Sequence, residues 1–136
     1  MIYLSDIPTP SSFIYLASPY SGYDFDRHVR YEYTKYAVAK LVEAHLAVFS
    51  PILNFHDLAQ SYRLPTDATY WDLVNSAFVQ QCSELWVLML EGWAESAGIK
   101  LEREYAEALE KPVRFCYFDA KWQLLIMEGD KVETNE

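Results

Sequence analysis

The chain has little of what marks secreted, membrane-spanning or DNA-binding proteins. It has 2 cysteines, Cys82 and Cys116, and both lie among apolar residues, so we expect reduced core thiols and no disulfide framework. No apolar run approaches the length that crosses a bilayer. Lys and Arg number 11 against 20 Asp and Glu, a net charge of -9. This balance disfavours duplex nucleic acid and membranes as partners, because both need a cationic footprint.

The composition is that of a globular domain. Hydrophobic residues make up 51% of the 136 residues and aromatic residues 16%, which is enough apolar surface for one core at this length. The N-terminal residues, MIYLSDIPTPSSF, have neither the basic segment nor the apolar run of a secretion signal. We therefore expect a cytoplasmic protein.

Short apolar runs alternate with helical patterns along the chain. Strands are expected in 13–18 (FIYLAS), 46–51 (LAVFSP), 84–93 (ELWVLMLEGW) and 113–118 (VRFCYF). Helices are expected from Asp24 to about Ala47, from Tyr70 to Gln81 and from Ser96 to Lys111, with a loop or irregular segment at 52–69. The alternation predicts a single three-layer α/β domain of the flavodoxin or Rossmann type, with helices on both faces of a parallel sheet of about five strands.

We assign this domain to residues 1–118 and treat residues 119–136 as a tail that is partly packed or frayed. In folds of this type, ligands bind beyond the carboxyl ends of the strands, at the point where the strand order reverses. The segments that follow the first three core strands are SPYSG, SPILNFH and EGWAESAG. We therefore expect the binding site among them.

One glutamate of the third helix lies on its apolar side. At about 100° per residue, Glu104 and Glu107 fall on a charged face, whereas Glu102 falls within an arc that includes Leu101 and Tyr105. A carboxylate in that arc must be paired, hydrogen-bonded, protonated or placed at a cavity. From the spacing alone, Glu102 either serves the helix and a neighbouring cation or carries chemistry.

The segment SAGIKLEREYA, residues 96–106, resembles the S-x-G-x-x-x-E-x-x-x-A signature of the nucleoside 2-deoxyribosyltransferase-like superfamily. This superfamily includes deoxyribosyltransferases and deoxynucleoside 5'-monophosphate N-glycosidases. The segments IYLASPYSG and QQCSELWVLML resemble its first strand with the substrate loop and its passage into the third strand. The resemblance covers roughly residues 13–118 and is closest to a branch with a GWxxSxG turn.

The resemblance implies a catalytic role for Glu102 as the nucleophile. It would attack the anomeric carbon of the sugar and expel the base, and water or a second base would then resolve the glycosyl-enzyme. Gly98 would let the sugar approach the backbone. The position of the superfamily's assisting aspartate is occupied here by Asn75. We expect Asp72, one helical turn earlier, to contact the base or leaving group, with Asn75 as the second candidate, although Asp72 also fits an ordinary acid in the first turns of a helix.

A phosphate site is also implied, with alternatives. In the superfamily, a serine six residues before the nucleophile marks members that act on monophosphates, and here that residue is Ser96, which would serve equally as a helix N-cap. Ser18 and Ser21 would supply further hydroxyls to the substrate. Tyr20 stands where the monophosphate enzymes often have an arginine, which counts against phosphate.

Other side chains of these segments are candidates for substrate contacts. Tyr15, Tyr20 and Trp93 would stack on a base, with packing in the core or at the rim as the alternative for each. His56 would line the cleft, and its alternative is a hydrogen-bonded side chain with no part in the chemistry. No metal or redox cofactor is expected, because no cluster with metal-ligand spacing, Walker lysine motif or GxGxxG occurs.

Two arginines lie in the first turns of the first helix, where the helix dipole disfavours a cation. A bound anion would explain Arg27 and Arg30, and so would ion pairs with the nearby acids. We therefore include both arginines as candidate phosphate ligands.

The leading expectation is an N-glycosidase acting on a nucleoside or nucleotide, with a 2'-deoxynucleoside 5'-monophosphate as the first substrate to test. The alternatives are a nucleoside 2-deoxyribosyltransferase and a non-catalytic nucleotide-binding or sensing domain. The resemblance also implies a homo-oligomer, a dimer or tetramer. The apolar patch at 122–127 is either a subunit contact or part of the domain's own packing.

Overall fold

A computed structural model describes residues 2–20 and 24–128 of the chain. Its strands are Ile2–Tyr3 (β1), Ile14–Ala17 (β2), Val48–Phe49 (β3), Glu84–Leu88 (β4), Val113–Phe118 (β5) and Leu124–Ile126 (β6). Its α-helices are Asp24–Glu43 (α1), Pro51–Tyr62 (α2), Ala68–Gln81 (α3) and Ala97–Ala108 (α4).

The described strands form one sheet in the order β1-β6-β5-β4-β2-β3. The four strands that the sequence predicts, β3, β2, β4 and β5, are parallel to one another, whereas β6 runs antiparallel to β5 and β1 antiparallel to β6. The three-layer α/β fold is confirmed, but the sheet is mixed and has six strands. The difference arises at a tight turn after β5, where the Asp119 carboxylate accepts hydrogen bonds from the backbone N–H groups of Lys121 and Gln123, and a turn this short joins only antiparallel strands.

The strand order reverses between β2 and β4. From β2 the chain passes through α1 to β3 on one side of β2, and then through α2 and α3 to β4 on its other side. The connections that leave β2 and β4 therefore run to opposite sides. The carboxyl ends of these two strands flank the crevice in which such folds bind ligands.

The pleat of β2 separates two cores. Ile14 and Leu16 pack on the face covered by α1, and Tyr15 and Ala17 pack on the face covered by α3 and α4, because successive side chains of a strand point to opposite faces. All four residues are fully buried. The alternation directs the Tyr15 side chain toward α4.

Residues 52–62 are helical, so the prediction of a loop there is wrong. Pro51 ends the preceding strand but also occupies the first turn of α2, where its missing N–H costs nothing. Ser50 caps the helix, since its Oγ accepts a hydrogen bond from Leu53 N at 3.1 Å. Arg63 ends it in the left-handed conformation, at φ 52°.

The start of the predicted tail belongs to the sheet. Leu124, Leu125 and Ile126 are buried, and β6 pairs with both β1 and β5. Most of the apolar patch at 122–127 therefore packs on its own domain, although Trp122 is half exposed. None of the helices within the described ranges has the length and apolar character needed to span a membrane.

Candidate functional site

A pocket lies beyond the carboxyl ends of β2 and β4, between α2, α3 and α4. Its empty space, including the part open to solvent, is about 670 Å³. Eight of the candidate residues line it: Ser18, Tyr20, His56, Asp72, Asn75, Ser96, Gly98 and Glu102. The three segments predicted from the strand ends thus meet in one place.

Much of the wall is apolar. The inward face of α2 contributes Ile52, Phe55 and Ala59, and α3 contributes Trp71. The rings of Phe55 and Trp71 lie 5.1 Å apart between centroids. Phe55 is not among the predicted site residues, because residues 52–69 were expected to form a loop. The Ser50–Pro51 cap signal, followed by apolar residues at helical spacing, indicates the helix that carries Phe55.

Glu102 faces this pocket from α4. Ser96 begins the helix as its N-cap, with Oγ accepting a hydrogen bond from Ile99 N at 3.3 Å. Ile99 and Ala106 are buried against the sheet, and this orientation turns Glu102 inward, to a partly buried position in the pocket wall. The geometry answers the question that the helical spacing left open: Glu102 is placed at a cavity.

The partner of Glu102 is Tyr15, whose hydroxyl donates a hydrogen bond to Oε2 of the carboxylate. Burial raises the pKa of Glu102 to about 8, and this rise is opposed by the Tyr15 hydrogen bond and increased by the charge of Asp72. Burial and then the Glu102 charge raise the pKa of Tyr15 well above its ordinary value, so the phenol keeps its proton. Tyr15 therefore stabilises the ionised form of Glu102.

Asp72 and Asn75 reach the pocket from α3. The helix is capped by Asp67, which accepts a hydrogen bond from Tyr70 N at 3.1 Å. Asp72 lies close enough to Glu102 to raise the pKa of that carboxyl. Asn75 is buried, and its Oδ1 has no hydrogen-bond partner among the described residues. The structure thus brings both candidates for the second polar group into the same pocket as Glu102.

His56 and Tyr20 form a polar pair that also lines the pocket. The Tyr20 hydroxyl lies 2.6 Å from His56 Nδ1, and the imidazole stacks on Tyr31 with centroids 4.4 Å apart. Burial, followed by the charge of His28, lowers the pKa of His56. The imidazole is therefore neutral at neutral pH and offers a hydrogen-bonding group rather than a charge.

Several predicted contacts lie elsewhere. Tyr15 is fully buried, so the prediction that it stacks on a base is wrong. Trp93 does not line the pocket; it packs edge-on against Phe115, with centroids 5.5 Å apart. Arg30 donates to the Glu91 carbonyl at 3.4 Å and, like Arg27, is not among the lining residues. Ser21 lies outside the described residues.

Of the two alternatives for Trp93, the structure shows packing, because the short 3-10 turn after β4 directs its ring back to the sheet. The turn begins at Gly92, whose φ of 90° favours glycine. Gly98, by contrast, is not required by the fold, because a Cβ there would meet Ser96 Oγ at 3.8 Å and Ala68 at 3.9 Å, which are ordinary contacts.

Among the described residues, no group of three or more His, Cys, Asp and Glu side chains is placed to hold a metal ion. No curated protein matches the chain. The family described as Domain of unknown function (DUF1937) matches residues 12–117. That range runs from the residues before β2 almost to the end of β5 and includes every lining residue of the pocket. The chain therefore belongs to the DUF1937 family.

Proposed function

We propose that the protein is an N-glycosidase that cleaves the base from a nucleoside or nucleotide, with a 2'-deoxynucleoside 5'-monophosphate as the leading substrate. The observation that carries the proposal is the Glu102 carboxyl, hydrogen-bonded to the buried Tyr15 hydroxyl in a pocket that also holds Asp72. An unneeded carboxylate in such a position would be costly. The resemblance of residues 96–106 to the superfamily signature supports the same role.

In the first step, ionised Glu102 attacks the anomeric carbon of the sugar through one carboxylate oxygen. The bond from that carbon to the base nitrogen breaks, and the base leaves with the bonding electrons and takes up a proton that comes from solvent. Asp72, which lines the pocket from α3, would assist this departure directly or through water. The product of the step is a glycosyl ester of Glu102.

In the second step, water attacks the same carbon, the ester bond breaks, and Glu102 is regenerated as a carboxylate. The sugar leaves with a hydroxyl in place of the base, and the proton lost by water passes to solvent. The neutral His56 imidazole lines the same pocket and offers hydrogen bonds to the sugar or to its substituents.

The ionisation of Glu102 limits the first step. Its pKa of about 8 leaves most of the carboxyl protonated at neutral pH in the empty pocket. The nucleophile is the carboxylate, so the Tyr15 hydrogen bond, which lowers this pKa, raises the reactive fraction. Tyr15 is therefore a positioning residue that acts through Glu102.

A phosphate would be held at the start of α4. The Ser96 hydroxyl can donate to a phosphate oxygen while its Oγ accepts from Ile99 N, and the N-terminus of a helix attracts anions. Ser18 lines the same pocket. Ser96→Ala should lower kcat/KM for a monophosphate more than for the free nucleoside, and an equal loss for both would remove Ser96 from phosphate binding.

Two other functions are supported by particular features. The apolar wall with Phe55 and Trp71 would retain the first base or admit a second one, which favours a nucleoside 2-deoxyribosyltransferase. An amide at Asn75, where the superfamily has its assisting aspartate, favours a non-catalytic nucleotide-binding or sensing domain.

One assay separates these functions. The purified protein and Glu102→Ala are incubated with deoxyribo- and ribonucleoside monophosphates and with the free nucleosides, and released base is followed by chromatography. Release that depends on Glu102 supports the glycosidase, and formation of a new nucleoside on adding a second base supports the transferase. A folded protein that binds these ligands without releasing base would support the sensing domain.

A homo-oligomer, dimer or tetramer, is part of the proposal. The outward side of α3 carries Tyr70, Leu73 and Val74 at the spacing of one helical stripe, and Leu73 is 81% exposed. The single ionisable carboxylate of this helix, Asp72, lines the pocket instead. An uncharged stripe of this kind is self-complementary, as an isologous contact requires.

The free, buried Cys82 and Cys116 thiols support a cytoplasmic location.

A further inference from the structure

The amide oxygen of Asn75 is buried without a partner. Asn75 is 8% exposed, and its Oδ1 has no hydrogen-bond partner in residues 2–20 and 24–128. Buried side-chain oxygens are almost always paired, because an unpaired one bears the full cost of leaving water. An apolar side chain would fill this helix position without that cost. The amide therefore indicates a donor that arrives with a ligand.

The surroundings of Asn75 indicate which part of the ligand brings the donor. It lines the pocket one helical turn after Asp72, on α3, whereas Glu102 lies on α4. Phe55 and Trp71 line the same pocket and offer aromatic surface for a flat ring. Nucleobase edges carry exocyclic amino and ring N–H donors, and asparagine pairs with such edges through its amide.

We propose that Asn75 Oδ1 accepts a hydrogen bond from an N–H group of the substrate's nucleobase, and that the site therefore selects bases that present this donor. The inference rests on the proposed N-glycosidase function and adds the feature of the base that is recognised. Asn75 is then a specificity residue. Its amide has no acidic proton to give to the leaving base, so assistance to the leaving group remains with Asp72.

Substrates that differ by one donor test this contact. In each pair, the first base has an N–H donor that the second lacks: adenine and unsubstituted purine, cytosine and pyrimidin-2-one, and hypoxanthine and 1-methylhypoxanthine. Each base is offered as its 2'-deoxynucleoside and as the 5'-monophosphate. A second set of the same compounds without the 3'-hydroxyl tests whether Asn75 contacts the sugar instead of the base. Both kcat/KM and the dissociation constant are measured for the wild type, Asn75→Leu and Asn75→Asp.

The wild type should favour the member with the donor in at least one pair, by about tenfold in kcat/KM. Asn75→Leu should abolish that preference, and Asn75→Asp, which keeps acceptor oxygens in the same volume, should retain it. The melting temperature of Asn75→Leu should equal or exceed that of the wild type, because the unpaired amide is removed.

The proposed contact would be overturned if Asn75→Leu kept the preference for bases with the donor. It would also be overturned if Asn75 proved necessary for a preference for the 3'-hydroxyl and not for the base donor. Base release by the wild type with either result would leave the N-glycosidase intact. Conversely, donor-dependent binding that requires Asn75 but gives no base release would support the contact and contradict the glycosidase. If the wild type neither binds these compounds nor releases base from them, both the proposed contact and the N-glycosidase function are contradicted.

Discussion

Replacing Glu102 with glutamine should stabilise the folded protein increasingly as the pH rises. In the folded state, burial raises the pKa of Glu102 to about 8, against 4.5 for the ordinary carboxyl. A group whose pKa is raised by folding contributes its stability below the unfolded pKa and loses it as the pH rises toward the folded one. Glutamine has no such ionisation, and its side-chain oxygen still accepts the Tyr15 hydrogen bond.

The magnitude follows from the pKa difference. Each pKa unit corresponds to about 1.4 kcal/mol, so the penalty on wild-type stability is about 1 kcal/mol at pH 5 and about 3 kcal/mol at pH 7, with little further increase above pH 8. The free energy of unfolding of Glu102→Gln should therefore gain about 2 kcal/mol on the wild type between pH 5 and pH 7.

Denaturant unfolding of both proteins at pH 5, 6, 7 and 8 measures this gain. Glu104→Gln, an exposed position on the same helix, is the matched control and should show no comparable trend. A constant difference between Glu102→Gln and the wild type across this range would refute the reasoning, because it would mean that Glu102 titrates at its ordinary pKa.

Three further predictions concern Tyr15, Gly98 and Leu73. Tyr15→Phe removes the hydrogen bond that lowers the pKa of Glu102, so the rise of kcat/KM with pH, centred near 8 in the wild type, should move to higher pH; Tyr31→Phe is the control, and an unmoved profile would contradict the role of Tyr15. Gly98→Ala should keep or raise the melting temperature, since its Cβ meets only ordinary contacts, while kcat/KM falls about tenfold or more through a narrowed pocket; unchanged kcat/KM would place the sugar elsewhere. Leu73→Glu should convert the oligomer to a monomer in analytical ultracentrifugation, whereas Leu58→Glu on α2 should not, and a wild-type monomer would contradict the proposed contact.

Strands and helices could be predicted from the sequence wherever their apolar pattern depends only on neighbouring residues. Buried parallel strands read as continuous apolar runs, so 13–18, 84–93 and 113–118 each contained a strand of the observed sheet. The helical period also placed Glu102 on an inward face without any knowledge of its neighbours. The antiparallel strand β6 was missed as a strand, because three apolar residues after a polar turn carry no period.

The details of the site depend on tertiary contacts that no local pattern contains. The period of β2 predicts which face Tyr15 joins, but its partner Glu102 lies 87 residues further along the chain. Similarly, Trp93 follows β4, whose carboxyl end flanks the pocket, and Arg30 lies in the second turn of α1. Their side chains nevertheless pack away from the pocket. Phe55 was missed for a different reason, since Pro51 both ends a strand and starts a helix.

The most direct test of the account is whether a sugar becomes bonded to Glu102 during turnover. The protein would be mixed with the preferred substrate from the nucleotide panel, quenched in acid within milliseconds to seconds, and analysed by mass spectrometry of the intact chain and of its peptides. The account predicts a mass increase of one glycosyl group, located on the peptide that contains Glu102 and missing from Glu102→Gln. Base release that continues undiminished in Glu102→Gln, or a glycosyl group on another residue, would contradict it.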